Sequence, residues 1–143
     1  MILQEAQFGS ALYQRSLILR EEILRKPIGM ILREEDKALE HLEFHLVAME
    51  GDIMFGCVLL RPLEHNTIKM RQMAVAENYQ GQGIGAKLVK FAEELAKKKG
   101  FTHIECNARK TAQAFYEKLG YEVMSDEFIE VNLVTLKMGK VLA

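Results

Sequence analysis

Between Gln80 and Ala86 the chain reads Gln-Gly-Gln-Gly-Ile-Gly-Ala, with glycines at 81, 83 and 85. The segment follows an apolar run ending near Val75 and precedes a stretch in which Leu88, Phe91, Ala92, Leu95 and Ala96 recur at helical spacing. A strand that passes through alternate glycines into a helix start offers backbone N–H groups with no Cβ in the way. The helix adds about half a positive charge there, so the loop is suited to a pyrophosphate. No Gly-Lys-Ser/Thr follows, which excludes a Walker A loop. A dinucleotide fingerprint is nearer, because Gly81, Gly83 and Ala86 satisfy GxGxxA and Glu105 lies near the end of the next strand. The context disagrees with it: the glycines come past the midpoint of the chain and after a hairpin, leaving a single βαβ unit and short strands.

Other reactive side chains have plainer readings. His41 and His45 have the i,i+4 spacing of a helical metal pair, but Leu42 stands where the zincin helix needs its Glu, and no metal site is expected. Cys57 and Cys106 sit in apolar, strand-like surroundings without a neighbouring His or Asp arrangement, so both read as reduced core thiols of a cytoplasmic protein. Lys87, Lys90, Lys97, Lys98 and Lys99 form the solvated face and the C-terminal dipole partners of their helix. Arg15, Arg20 and Arg25 read as solvated arginines of the first helix, with binding of an anionic acceptor as the alternative.

The elements that must position these groups follow from periodicity. After a short N-terminal strand, Ser10 caps a helix over ALYQRSLILREEILRK, with Leu12, Leu19 and Ile23 inward, stopped by Pro27 and Gly29. Arg33 to Glu40 is a loop or a short helix. FHLVAM and IMFGCVLL form a hairpin around Glu50-Gly51-Asp52, ended by Pro62. TIKMRQMAVA is a strand with Ile68, Met70, Gln72 and Ala74 on one face and Lys69, Arg71, Met73 and Val75 on the other. A helix from Gly85 to Lys99 stops at Gly100, THIECNA is a strand, Thr111 caps the short helix AQAFYEKL, and YEVM and VNLVTLKM close the sheet.

Composition sets the bounds. A chain of 143 residues, 49% apolar and 27% charged, is expected to be one domain with an ordinary core. Nineteen Lys and Arg against twenty Asp and Glu give a net charge of -1, so no nucleic acid partner is expected. The N-terminus MILQEAQF lacks a basic region followed by an apolar one, and the longest apolar stretch, Ile53 to Leu60, is too short to span a bilayer. No membrane association is expected, and a cytoplasmic location is.

The segment from Met73 to Tyr121 resembles the GNAT superfamily of acetyl-CoA-dependent N-acetyltransferases. The family's loop motif [QR]-x-x-G-x-[GA] is met by Gln80, Gly83 and Gly85. Its later signature A-x-x-F-Y-x-K-x-G-[FY] is met by Ala112, Phe115, Tyr116, Lys118, Gly120 and Tyr121. The resemblance implies a single α+β (mixed α/β) domain over residues 1–143: a mixed, mostly antiparallel β-sheet splayed between two strands, with helices on both faces. It implies acetyl-CoA as cosubstrate, bound by the loop Gln80, Gly81, Gln82, Gly83, Ile84, Gly85 and Ala86, with its pantetheine beside Met73, Ala74 and Val75. Tyr116 would serve the departing sulfur, and a backbone N–H near Met73 or Ala74 the oxyanion. The acceptor would be a primary amine of a small molecule or peptide, attacking directly.

Two positions depart from the family pattern. Arg109 stands where many members have a cofactor-contacting Asn, with Asn107 as the substitute. The strand before the loop offers Lys69 and Arg71 where some members carry a general-base Glu. Glu105, His103, Glu64 and His65 are base candidates by type, each with a surface or strand-end reading beside it. A GNAT-fold acyl-CoA-binding or interaction module without enzymatic activity is the alternative these departures leave open. The acceptor's identity and the assembly state, monomer or homodimer, are fixed by no motif.

Overall fold

A computed structural model describes residues 1–143. In chain order the elements are β1 (Ile2–Ala6), α1 (Ala11–Leu24), β2 (Phe44–Glu50), β3 (Ile53–Pro62), β4 (Thr67–Val75), α2 (Ile84–Lys98), β5 (His103–Arg109), α3 (Gln113–Lys118), β6 (Glu122–Val123), β7 (Phe128–Glu130) and β8 (Leu133–Val141). The sheet runs β1-β2-β3-β4-β5-β8-β6, with β7 also pairing β8. β4 and β5 are parallel, joined by the α2 crossover, and every other pairing is antiparallel. The sheet is mixed and mostly antiparallel, as expected.

Both faces of the sheet are covered because its central strands are apolar on both sides. Along β2, Leu46 and Ala48 enter the larger core with Leu88, Val89, Ala92 and Ala96 of α2 and Tyr116 of α3. The alternate residues Val47 and Met49 meet Leu19 of α1 in the smaller core. α1 packs on β2, β3 and β4. Over β5 and β8 that same face has no helix, and a cavity opens there.

Several local expectations are corrected. Ser10 caps α1 by accepting from the Tyr13 N–H at 3.2 Å, but the helix ends at Leu24, with Arg25 at its C-cap and a 3-10 turn over Lys26–Ile28. Its buried stripe is Tyr13, Ser16, Leu19 and Arg20, while Ile18 is exposed. Burial of Arg20 is possible because a carboxylate waits on the other side, which no periodicity records. Arg33 to Glu40 contains 3-10 turns at Glu34–Lys37 and Glu40–Leu42. His41 lies on the second turn and His45 on β2, so the two share no helix face. Ala112, at the end of a 3-10 turn, takes the N-cap position of α3 in place of Thr111. β7 was not expected: its hairpin to β8 turns at Val131 and Asn132, both at positive φ, and valine carries no turn signal.

The strict alternation expected along β4 also fails, and the failure shapes the site. The β3 register jumps from Leu59↔Arg71 to Cys57↔Ala74, and Gln72 takes φ 50°. This bulge inserts one residue and reverses which face later side chains occupy. Ile68 and Met70 therefore point into the α2-side core, Ala74 into the α1-side core, and Met73 and Val75 pack against the α2 side. A left-handed non-glycine residue costs about 1–3 kcal/mol. Arg20 helps hold it, donating from Nε to Gln72 Oε1 at 2.7 Å.

Candidate active site

The parallel ladder between β4 and β5 runs from Thr67↔His103 to Met70↔Cys106 and stops. Beyond it β4 stays bonded to β3 through Val75, while β5 continues to Arg109 against β8. The two strands part, and the β5-facing edge of β4 from Arg71 to Val75 has no strand partner. The glycine loop lies at the far end of this edge. Gln80 donates its side-chain amide to the Val75 carbonyl at 3.0 Å, tying the loop to the strand end. Gly81 at φ 77° and Gly83 at φ 81° adopt the left-handed backbone, with open space where a Cβ would stand. They are needed for backbone sign, not room. Gly85 differs from that expectation: it lies inside α2, and a Cβ there would meet Phe115 Cζ at 3.3 Å and Met73 Sδ at 3.5 Å. The first helical bond runs from Lys87 N–H to the Gly83 carbonyl at 3.1 Å, leaving the Ile84, Gly85 and Ala86 amides without intrahelical partners. An anion fits this end.

Tyr116 is 8% exposed and lines the cavity with Cys106. Its ring is held edge-on between Phe115 and Tyr121, with centroids 5.0 and 5.6 Å away. Burial first, and Cys106 second, raise its pKa above the ordinary phenol range, with no hydrogen bond contributing. The Cys106 thiol, 3% exposed, is itself pushed up to about 12 by burial, so it is not a nucleophile near neutral pH. The same holds for Cys57 on the other side of the sheet.

The cavity of about 590 Å³ lies in the parting of β4 and β5 and extends over the uncovered face. Its charged lining is unbalanced: Arg25, Arg33, Arg61, Lys69, Arg71 and Arg109 against Asp36 and Glu130. Some of these cations are neutralised within the protein. Arg71 and Arg61 both donate to buried Glu43, at 2.7 and 3.0 Å, and Arg33 pairs with Glu35 at 2.6 Å. Lys69 is depressed by burial, with Glu130 opposing.

The base candidates fall elsewhere. Glu105 is paired with Lys137 at 3.2 Å, His103 takes a Thr102 contact at the strand start, and Glu64 and His65 sit together on an exposed loop. None lines the cavity. Asn107 does, donating to Glu130 Oε2 at 3.1 Å, and Arg109 faces the same side. Glu130 and Asp36 are the cavity carboxylates that sequence reasoning passed over. Asn132 at the β7–β8 turn was the available signal for Glu130, and nothing local marks Asp36.

The comparisons with known proteins point to one family and one fold. The description Acetyltransferase (GNAT) domain matches residues 21–142. The Bacillus subtilis protein named uncharacterized N-acetyltransferase YjcF is 29% identical over 137 residues, 95% of this chain and 94% of that protein. A solved Lactobacillus plantarum structure superposes with TM-score 0.87 at 25% identity, covering 100% of both chains. A Bacillus subtilis acetyltransferase solved in complex with CoA shares the fold, with TM-score 0.78 at 18% identity over 99% of this chain and 98% of that one.

Proposed function

The chain belongs to the GNAT superfamily of acetyltransferases, and from that premise we propose that residues 1–143 act as one domain transferring the acetyl group of acetyl-CoA to a primary amine of a small molecule or peptide. The observation that carries this reading is the parting of β4 from β5 after Met70 and Cys106, between an amide-lined helix start and a buried phenol. In this reading the amides of Gln82 to Ala86 hold the pyrophosphate. The free edge of β4 at Met73, Ala74 and Val75 takes the pantetheine as an added strand would be taken. The neutral amine attacks the thioester carbonyl, a C–N bond forms and the C–S bond breaks, the sulfur leaves with the electron pair, and the proton shed by the nitrogen passes to that thiolate or to solvent. A backbone N–H of Met73 or Ala74 holds the oxyanion.

Tyr116 donates a hydrogen bond to the sulfur. Full proton transfer from an ordinary phenol to a thiolate is already uphill by roughly 2 kcal/mol, and burial of Tyr116 widens the gap. Glu105, His103, Glu64 and His65 all lie off the cavity wall, and the cavity carboxylates Asp36 and Glu130 are engaged by Arg33 and Asn107, so in this reading the amine arrives neutral. That costs a lysine-like amine about 4.6 kcal/mol at pH 7 and an α-amine only about 1 kcal/mol. Acceptors with low-pKa amines are favoured, and kcat/KM rises with pH along the acceptor's own ionisation.

Two measurements test this. Acetyl-CoA at 100-fold over its Kd stabilises the protein by about 2.7 kcal/mol, several degrees in Tm, and Gly83→Val abolishes that shift by forcing a β-branched residue to positive φ. Thiol release is then followed over a broad amine panel. Binding with no amine-dependent release would favour the nonenzymatic module, and a shift from NADH with none from acetyl-CoA would overturn the cofactor.

A further inference from the structure

Arg25 and Arg109 come from elements far apart in the sequence, α1 and β5, and meet at one oxygen. Arg25 closes α1 and donates from Nη1 to the Leu24 carbonyl at 3.3 Å. Arg109 ends β5 and donates from Nη2 to the same carbonyl at 2.8 Å. Two guanidinium groups therefore converge on a single neutral acceptor, and neither has a carboxylate within ion-pairing distance, although the other cavity arginines do. Arg25 is only 7% exposed, lines the cavity, and its Nε is buried with no hydrogen-bond partner. A buried, unpaired guanidinium is costly, and a second like charge beside it adds to the cost. Burial first, and then the neighbouring Arg25, depress Arg109; burial likewise depresses Arg25, with Asp36 opposing.

A fold that keeps two such groups in a cavity has left a place for an anion. The pyrophosphate does not explain them, because the amides that suit it lie at the start of α2, beyond Val75, and no residue of Gln80 to Ala86 lines this cavity. We propose that the acceptor is a small amine carrying a compact anion, a carboxylate or a phosphate, clamped between Arg25 and Arg109 while its amino group reaches the parting of the strands. This rests on the acetyltransferase reading above. Planar guanidinium forks suit either anion, since both present oxygens in matching pairs. Strand rise of about 3.3 Å per residue places Arg109 roughly 10 Å along β5 from Cys106, so an amine and an anion separated by a few bonds span the two ends.

The test compares matched acceptors that differ in the anion: glycine, β-alanine and 4-aminobutyrate against their amides, and O-phosphoethanolamine against ethanolamine. Each kcat/KM is referred to the concentration of neutral amine, because the anion also raises the amine's pKa. The expected result is a preference of roughly 10- to 100-fold for the anionic member of at least one pair, the scale of charged hydrogen bonds. The carboxylate and phosphate arms identify which anion is read. Arg109→Gln and Arg25→Gln each reduce the preference to below about threefold while leaving the acetyl-CoA shift in Tm intact, which reports that the variant is folded.

Equal use of anionic and neutral members by the unaltered protein overturns the proposal, whether or not the variants fold. So does a preference that survives both substitutions. If acetyl-CoA binds and no amine is acetylated, the acetyltransferase reading fails separately. The clamp is then read from the Tm of the CoA-loaded protein with glutarate or inorganic phosphate against glutaramide. A shift from an anion that both variants lose supports the clamp, and no shift from either anion overturns it.

Discussion

Arg20 and Arg25 stand on one helix and its cap, five residues apart, and the fold treats them oppositely. Arg20 is fully buried and fully partnered: it forms a two-pronged bond to Glu40, with Nη1 to Oε1 at 3.1 Å, and a third bond to Gln72. Glu40 is completed by the Tyr13 hydroxyl at 2.8 Å, and its main-chain oxygen meets His45 Nε2 at 2.7 Å. Burial alone would raise the Glu40 carboxyl, but the Arg20 hydrogen bond and charge, with Tyr13, bring it below the ordinary range. Arg25 is nearly as buried, yet it has only a backbone carbonyl. The same residue type is ion-paired and hydrogen-bonded in one place and left with a single neutral acceptor in the other. What separates them is whether the chain supplies the opposite charge.

The largest expected effect breaks the closed end. Arg20→Met strands the Glu40 carboxylate in the core and releases the Gln72 bulge, at a cost of about 3–5 kcal/mol, read as a drop in Tm of ten degrees or more. A loss below 1 kcal/mol would mean that the network is incidental. At the open end, Tyr116→Phe retains the packed ring but lowers kcat about 100-fold, roughly 2.7 kcal/mol, with acetyl-CoA binding little changed. An unchanged kcat reduces Tyr116 to a core aromatic.

The two buried thiols sharpen the contrast at smaller scale. Cys57 lies beneath the closed network, Cys106 at the floor of the open cavity, and burial pushes each up to about 12. Raised folded-state values mean that stability is fully present below about pH 9 and lost as pH rises toward 12, at about 1.4 kcal/mol per pH unit for each thiol. Stability measured from pH 8 to 10.5 should fall less steeply in Cys57→Ala and in Cys106→Ala, by similar amounts. A smaller share for Cys106 would show that water reaches the cavity floor. The smallest effect is expected for Arg25→Met, which removes an unpaired buried charge and should change stability by less than about 1 kcal/mol or increase it. A loss matching Arg20→Met would dissolve the comparison and make Arg25 structural.

Short-range regularities carried much of this architecture into the sequence. The glycines at 81 and 83, the apolar period of α2, Gly100 after it, and the β2–β3 hairpin around Gly51 each depend on residues a few positions apart, and each appears where expected. The Phe115-Tyr116 signature likewise placed a phenol at the parted strands. The bulge at Gln72 left no such trace, since glutamine has no preference for positive φ, and it reversed the assignment of Met73, Ala74 and Val75.

Charge pairing lies wholly outside local pattern. Arg20 and Arg25 look alike along a helix, but Glu40 reaches one from twenty residues away, while Arg109 approaches the other from the far end of β5. A turn or a helix is decided by backbone torsions and near neighbours, which composition and spacing encode directly. Whether a buried guanidinium is satisfied depends on a fixed distance to an oxygen from another element, and that distance exists only once the sheet has brought the elements together.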